Sequence, residues 1–139
     1  MRTVILFILM SAWCAQAGLS KLDAISMIET GNNDRAVGSL GEVSRYQILP
    51  RVWKAYTQSW NYRNPRMASI VAEQHLNFLE EGFREKTGRE PTDFDRYVLW
   101  NAGLGYYTRK GFSPNRVHRV IRERANRYVN LRHMNQPVS

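Results

Sequence analysis

Apolar residues recur at helical spacing through most of the chain, and clusters of Gly, Pro and Asn separate these stretches. Apolar positions every three to four residues are typical of an amphipathic helix packed on a core, whereas a half-buried strand alternates every second residue. No alternating run is long enough for a large sheet, and a length of 139 residues allows one domain with one core. The sequence therefore predicts a compact, mostly α domain.

Capping and turn residues predict where five helices begin or end. Ser20 suits the N-cap of a helix at 21–30, and Thr92 that of a fourth helix, which we expect to stop at Gly103. Prolines suit the first turns of the other three helices. These begin at Pro50, at Asn64-Pro65 and at Ser113-Pro114. The helix that begins at Asn64-Pro65 is expected to be the longest and to end near Gly88.

Each of the three longer helices has an expected buried face. The spacing of large apolar residues defines these faces. They are Met67, Ile70, Val71, Phe78 and Leu79 on the longest helix, Phe94, Tyr97 and Val98 on the next, and Val117, Val120, Ile121, Tyr128 and Leu131 on the last.

A loop interrupts the helical pattern between 31 and 45. Gly31, Gly38 and Gly41 break the periodicity, and the run Asn-Asn-Asp at 32–34 adds turn chemistry. We expect a small loop or β-hairpin insert there.

The segment 1–17 has the three regions of a secretory signal peptide. Arg2 gives a positive start, 4–10 an apolar run, and Ala-Gln-Ala at 15–17 a cleavage site. The apolar run is far shorter than the roughly 20 residues of a membrane-spanning helix. We expect cleavage after Ala17, export to the periplasm or beyond the cell, and a domain at 18–139 with no stable membrane anchor; an uncleaved anchor is the alternative.

Cys14 is the one cysteine of the chain, and it would leave with the signal peptide. The exported domain would then hold no disulfide, so its helical core must stabilise the fold unaided. A lipidated cysteine follows small residues, and Trp13 occupies that place. Lipid anchoring at Cys14 is therefore the less favoured alternative.

Glu29 stands at the end of the first apolar helical run, directly before Thr-Gly-Asn-Asn at 30–33. Most glutamates at helix ends are solvated surface groups. A carboxylic acid that projects from a helix end into a cleft of aromatic and amide side chains is what general acid cleavage of a glycosidic bond requires. The stretches 46–50 and 100–103 offer such side chains. The pattern indicates an enzyme that acts on polysaccharide.

Short motifs follow one another along the chain in a recognisable order. They are Glu-Thr-Gly-Asn-Asn at 29–33 with Ala-Val-Gly at 36–38, Ser-Arg-Tyr-Gln-Ile-Leu-Pro at 44–50, Leu-Trp-Asn-Ala-Gly at 99–103, and Tyr128 in the last helix. They resemble the motifs of the bacterial soluble lytic transglycosylase domain, a family of the lysozyme-like superfamily. Those motifs read Glu-Ser-x-x-x with Ala-Val-Ser, Gly-Leu-Met-Gln-Ile-x-Pro, Ala-Tyr-Asn-Ala-Gly, and a tyrosine in a C-terminal helix.

The resemblance covers 24–53 and 94–131, the two ends of the domain. It departs from the family at Thr30, which replaces a serine, at Ser44, which replaces a glycine, and at 45–46, where Arg-Tyr replaces Leu-Met. These departures affect substrate fit more than the acid itself. The resemblance implies an α+β lysozyme-like fold with the small insert beside an active-site cleft.

The same resemblance implies a function and a partner. It implies cleavage of the β-1,4 bond between N-acetylmuramic acid and N-acetylglucosamine in peptidoglycan strands, with Glu29 as general acid and base and with no cofactor. The acid must keep its proton near neutral pH, which an apolar pocket favours.

The other site residues have roles implied by the resemblance or by their side chains. Gln47 and Asn101 would hydrogen-bond the sugars, or else stabilise turns. Tyr46 and Trp100 would stack on sugar rings, or else belong to the core. Tyr128 would hydrogen-bond the catalytic carboxyl, or else simply pack.

Glu42 separates two mechanisms. In animal-type lysozymes an aspartate that acts as nucleophile or stabiliser occupies the matching place, so a second carboxylate beside Glu29 would suit a hydrolase. An exposed loop glutamate is the simpler interpretation. With Glu29 alone, the product would be a 1,6-anhydro sugar. The alternatives are a hydrolytic muramidase, a chitinase-like glycosidase, and a catalytically silent wall-binding protein.

The chain is basic, with a formal net charge of +8. A basic surface attracts nucleic acid, anionic lipid or an acidic wall polymer. Export favours the wall polymer, so we expect no nucleic-acid partner. Much of the excess lies between 109 and 132, either as a solvated helix face or as a surface for carboxylates and phosphates of a bacterial envelope. Nothing in the sequence indicates an oligomeric state.

Histidine spacing gives no metal-ligand pattern. His75, His118 and His133 lie far apart in the sequence, and each is expected on a helix face or surface. We expect no metal site.

Overall fold

Five α-helices and one 3₁₀ turn make up most of residues 18–134, the part of the chain that the computed structural model describes. They are α1 (Lys21–Thr30), α2 (Pro50–Trp53), α3 (Pro65–Thr87), α4 (Asp93–Arg109), the 3₁₀ turn Pro114–Arg116, and α5 (Arg119–His133). The predicted mostly α class is confirmed. The expected signal peptide at 1–17 lies outside the described residues. None of the described helices combines the length and the apolar character that crossing a membrane requires.

Side-chain caps fix the starts of three helices where the sequence places them. The Ser20 hydroxyl accepts a hydrogen bond from the Asp23 amide at 3.1 Å, which begins α1. The Asn64 side chain caps α3 in the same way. Thr92 and Asp95 form a reciprocal capping box at the start of α4. These starts are confirmed because each depends on residues within one turn of one another.

The fourth helix differs from the prediction at its end. Gly103 has φ 83° and ψ 161°, so the chain bends there, but it returns to helix and continues to Arg109. The second half is held by burial, because Tyr107 is fully buried and donates a hydrogen bond to Asp95 at 2.6 Å. The last helix also begins later than predicted, at Arg119, because Pro114 opens a 3₁₀ turn instead.

The core lies where α4 packs against α3 and α5, and α1 also packs against α5 and α3. Its largest fully buried side chains are aromatic: Trp53, Phe83, Tyr97, Tyr107 and Tyr128. The predicted faces were wrong at three positions, since Ile70, Phe78 and Val120 are 42%, 60% and 52% exposed. Helix α3 turns a narrower face of small and large residues to the core, formed by Ala68, Val71, Ala72, Leu76, Leu79 and Phe83.

The insert after α1 is a minimal antiparallel arrangement. Isolated β-bridges join Val43 to Val37 on one side and to Ile48 on the other, and no longer strand occurs within 18–134. The predicted hairpin is thus present in reduced form. A tight loop at 44–47 connects Val43 to Ile48, and Ser44 and Gln47 in it have left-handed φ values of 66° and 53°.

A buried carboxylate joins three helices on the side of α3 that faces α1 and α4. The Glu80 side chain is 3% exposed and accepts from Lys21 at 3.0 Å, from Arg84 at 3.2 Å and from Arg96 at 2.7 Å. Burial by itself raises the pKa of Glu80, but the hydrogen bonds from Lys21 and Arg96 outweigh burial and hold the pKa below its ordinary value.

We predict that Glu80→Gln lowers the free energy of unfolding by about 3 kcal/mol at neutral pH, since it leaves partly buried cations without their partner. A carboxyl whose pKa is lowered by folding stabilises above its unfolded pKa and loses that contribution as pH falls through the folded pKa. The difference in the free energy of unfolding between wild type and Glu80→Gln should therefore shrink below about pH 4.5. Urea unfolding from neutral to acidic pH measures it. Glu81→Gln, at an exposed neighbour, is the control, and a difference independent of pH would contradict the prediction.

Candidate functional site

A polar cleft of about 260 Å³ lies between the end of α1, the insert, α4 and α5. Most of its lining comes from the stretches that the sequence singled out, although these are far apart in the chain. The lining residues are Glu29, Gly38, Ser39, Glu42, Gln47, Trp100, Asn101 and Arg124. The fold thus brings five of the seven predicted site residues to one place, and leaves Tyr46 and Tyr128 out of it.

Glu29 is presented to the cleft by the way in which α1 ends. Gly31 adopts φ 62°, and its amide donates to the Met27 carbonyl at 3.1 Å, so the helix stops one residue after Glu29. The Thr30 hydroxyl then donates to the Arg45 carbonyl at 2.9 Å. This bond ties the end of α1 to the 44–47 loop and fixes the distance between the two parts of the site.

The Glu29 carboxyl is 9% exposed and has a different partner on each oxygen. The Tyr97 hydroxyl donates to Oε1 at 2.6 Å, and Arg124 Nη1 lies 3.9 Å from Oε2. Burial, and then the negative charge of Glu29, raise the pKa of Tyr97 far above its ordinary value. The phenol therefore keeps its proton and acts as a permanent donor to Oε1.

Tyr97 takes the place that the sequence interpretation gave to Tyr128. The Tyr128 hydroxyl donates instead to the Lys21 carbonyl at 3.3 Å, and its ring lies 5.6 Å from that of Tyr97. The expected Tyr128 bond to Glu29 was wrong, because α5 places this ring behind Tyr97 in the core. One signal pointed to Tyr97: it lies one helical turn before Asn101 and so shares its face.

Tyr46 does not line the cleft, so its expected role in stacking on a sugar ring was wrong. Its side chain is 4% exposed and packs in the core, so its ring cannot stack on a ligand in the cleft. Its backbone carbonyl accepts from the Trp100 indole at 3.3 Å. Burial raises the pKa of Tyr46. The residue therefore holds Trp100 in position through its backbone.

Glu42 and Gln47 lie side by side on the wall formed by the insert. Gln47 Nε2 donates to the Ser44 carbonyl at 3.1 Å, and Glu42 Oε2 accepts from the Leu40 amide at 2.9 Å. Both side chains are half-buried. Gly38 lies against them so closely that a Cβ at that position would overlap the side-chain oxygens of both. A side chain at position 38 would therefore displace the ends of both side chains from where they now lie.

Beyond Trp100 the cleft continues as a second space of about 220 Å³. Four residues line both spaces: Glu42, Gln47, Trp100 and Asn101. The other residues that line the second space are Leu40, Ile48, Leu49, Val52 and His75. The His75 ring lies edge-on to Trp100 at 5.4 Å, and its Nδ1 is 3.0 Å from the Tyr56 hydroxyl. Burial lowers the pKa of His75, so it is neutral at pH 7. The two spaces share four lining residues and so form one continuous groove.

Within residues 18–134, no group of three or more His, Cys, Asp and Glu side chains is arranged to hold a metal ion. His133 lies 2.9 Å from Asp93 on α4, and His75 is paired with Tyr56. The side chains that line the cleft offer carboxyl, amide, hydroxyl, indole and guanidinium groups.

Comparisons with known proteins give no relative for this chain. No family model matches it, and no curated protein and no solved structure match it either.

We predict that Tyr97→Phe lowers the free energy of unfolding by about 2 kcal/mol, because it removes a donor from a nearly buried carboxyl. Tyr128→Phe, the matched control on α5, should cost about 0.5 kcal/mol, because its longer bond goes to a neutral carbonyl. Urea unfolding of the two variants at neutral pH compares them. Equal losses would contradict the assignment of Tyr97 as the partner of Glu29.

Proposed function

We propose that this chain cleaves peptidoglycan strands at the β-1,4 bond between N-acetylmuramic acid and N-acetylglucosamine, as a lytic transglycosylase with a lysozyme-like fold. One observation carries the proposal. Glu29, Gln47 and Asn101, from three stretches that resemble successive motifs of that family, line the same cleft. The proposed substrate lies outside the cytoplasmic membrane, which agrees with the secretory signal peptide expected at 1–17.

The environment of Glu29 suits an acid that acts through one oxygen. Tyr97 occupies Oε1, so Oε2 is the oxygen that faces the cleft beside Arg124. A protonated Oε2 gives its proton to the glycosidic oxygen as the bond breaks. The acetamido oxygen of the N-acetylmuramic acid whose C1 is being cleaved assists by bonding to that C1. This bond spreads the positive charge that develops on the sugar ring.

The second step uses the same carboxyl as a base. Glu29 takes the proton of the sugar's own 6-hydroxyl, and that oxygen displaces the acetamido oxygen from C1. The product is a 1,6-anhydro sugar, and no water is consumed. The proton that Glu29 gave leaves on the hydroxyl of the departing sugar, and the proton of the 6-hydroxyl replaces it, so one acid is sufficient for the whole cycle.

In this proposal the amide side chains of Gln47 and Asn101 hold the sugar during both steps. Gln47 Nε2 donates its hydrogen bond to the Ser44 carbonyl. The Oε1 atom of Gln47, which lies beside Gly38, can then accept a hydrogen bond from an N–H or hydroxyl group of the substrate. Asn101 and Trp100, which α4 contributes, line the same cleft. A half-buried indole offers an apolar face for a sugar ring.

We predict that Glu29→Gln lowers the release of soluble fragments from purified peptidoglycan at least about a hundredfold, because the amide cannot transfer the proton. Glu123→Gln, on the exposed face of α5, is the control and should act as wild type. Mass spectrometry of the fragments should find ends lighter by one water than reducing ends. Fragments released equally by wild type and Glu29→Gln would show that another residue is the acid.

A hydrolytic muramidase is the second candidate, because Glu42 lies in the same cleft as Glu29. A second carboxylate can guide or activate a water, or attack C1 directly. The Leu40 amide, which donates to Glu42 Oε2 at 2.9 Å, would keep this carboxylate oriented.

We predict that Glu42→Gln keeps the rate of cleavage within about threefold and still gives anhydro ends, since the amide preserves the bond to Leu40 and the proton path does not use Glu42. The rate and the fragment masses are measured together. A loss of a hundredfold or more, with reducing ends from the wild type, would replace the transglycosylase by the hydrolase.

A further inference from the structure

Arg124 is the one cation among the residues that line the two spaces of the cleft. It comes from α5, and its side chain is 37% exposed. Within residues 18–134 its guanidinium makes no hydrogen bond, and its nearest acidic oxygen, Oε2 of Glu29, is 3.9 Å away. The five N–H donors of an arginine are therefore available to a ligand in the cleft.

The position of this arginine is fixed by the core beneath it. Ala125 and Tyr128 of α5 are fully buried, and Tyr128 packs against Tyr97, which in turn binds Glu29. Helix α5 is thus held in register with the carboxyl. The backbone that carries Arg124 is therefore fixed beside the cleft, while its guanidinium stays free to turn toward a ligand.

The acidic groups of the cleft make such a cation necessary for one class of ligand. Glu29 and Glu42 both line the cleft, so an anionic ligand would lie beside two acidic side chains, and any negative charge on them would repel it. Repulsion between like charges in a partly desolvated site costs more than it does in water. A neutral glycan would not need compensation, but an acidic one would.

We propose that Arg124 binds a carboxylate of the glycan substrate, and so makes the cleft select acidic glycans over neutral ones. This inference rests on the proposed function and names the substrate feature that the site reads. A guanidinium matches a carboxylate with two parallel hydrogen bonds, which gives orientation as well as affinity. When the carboxylate binds, Arg124 is drawn from Glu29 to the ligand.

Two parts of peptidoglycan can supply the carboxylate. In strands without peptides the lactyl group of muramic acid is free and charged. In strands with peptide stems that group is amidated, and the charge comes from the peptide. Substrates of both kinds, together with a neutral oligomer of N-acetylglucosamine, separate the sources.

The test measures kcat/KM of the secreted domain on these three substrates for wild type, Arg124→Gln and Arg124→Lys. We expect Arg124→Gln to lose at least about tenfold on one or both acidic substrates, the value for one charge-assisted hydrogen bond, and less than about twofold on the neutral oligomer. Arg124→Lys should recover part of the loss. Arg127→Gln, an equal change of charge on the exposed face of α5, should change none of the three values.

The substrates also separate the proposal from a role in holding Glu29. A merely structural arginine would cause the same loss on all three substrates, and that result overturns the proposal. Arg124→Gln without effect on either acidic substrate also overturns it. A loss confined to stem-free strands assigns the site to the lactyl carboxylate, and a loss confined to stem-bearing strands assigns it to the peptide.

Failure of the proposed function would be seen separately. If the wild type cleaves none of the substrates, its binding to fluorescent stem-free, stem-bearing and neutral oligomers still tests Arg124. Tighter binding of an acidic oligomer that Arg124→Gln abolishes supports the inference without catalysis. Equal binding of all three oligomers by the wild type overturns it.

Discussion

The hydrogen bond from Tyr97 to Glu29 is the contact on which the whole cleft depends. At 2.6 Å it joins the last turn of α1 to the second turn of α4, across a distance of 68 residues in the sequence. It leaves the other carboxyl oxygen facing the cleft. Because Tyr97 packs on Tyr128, the same contact also sets where α5 lies and where Arg124 stands. One phenol thus aligns three helices around one acid.

The second wall of the cleft is held from two directions. Thr30 donates to the Arg45 carbonyl, and the Trp100 indole donates to the Tyr46 carbonyl, so α1 and α4 each bind the backbone of the 44–47 loop. Two residues of this loop other than glycine have positive φ, which costs about 1 kcal/mol or more each. Such strain persists only where surrounding contacts fix it. The contacts from α1 and α4 therefore hold the loop that carries Gln47 in this conformation.

The sequence predicts what is local and misplaces what depends on packing. Caps such as Thr92 act within one turn, so the starts of α1, α3 and α4 could be placed. The partner of Glu29 could not, because Tyr97 and Tyr128 both lie on apolar helical stripes and only the crossing of α4 and α5 decides which one reaches the carboxyl. Gly103 shows the same limit: it signals a break, but burial of Tyr107 restores the helix beyond it.

Position determines what a positive charge does in this protein. Arg119 on α5 is 77% exposed, and its attraction to an anionic polymer is weak and screened by salt. Several such residues together increase the rate of encounter without distinguishing one polyanion from another. Arg124, one and a half turns further along the same helix, faces a recess that it shares with two carboxyls. Solvent and salt screen a charge less in this recess than on the open surface. In the proposed role, Arg124 alone therefore selects acidic over neutral glycans, which the basic surface as a whole cannot do.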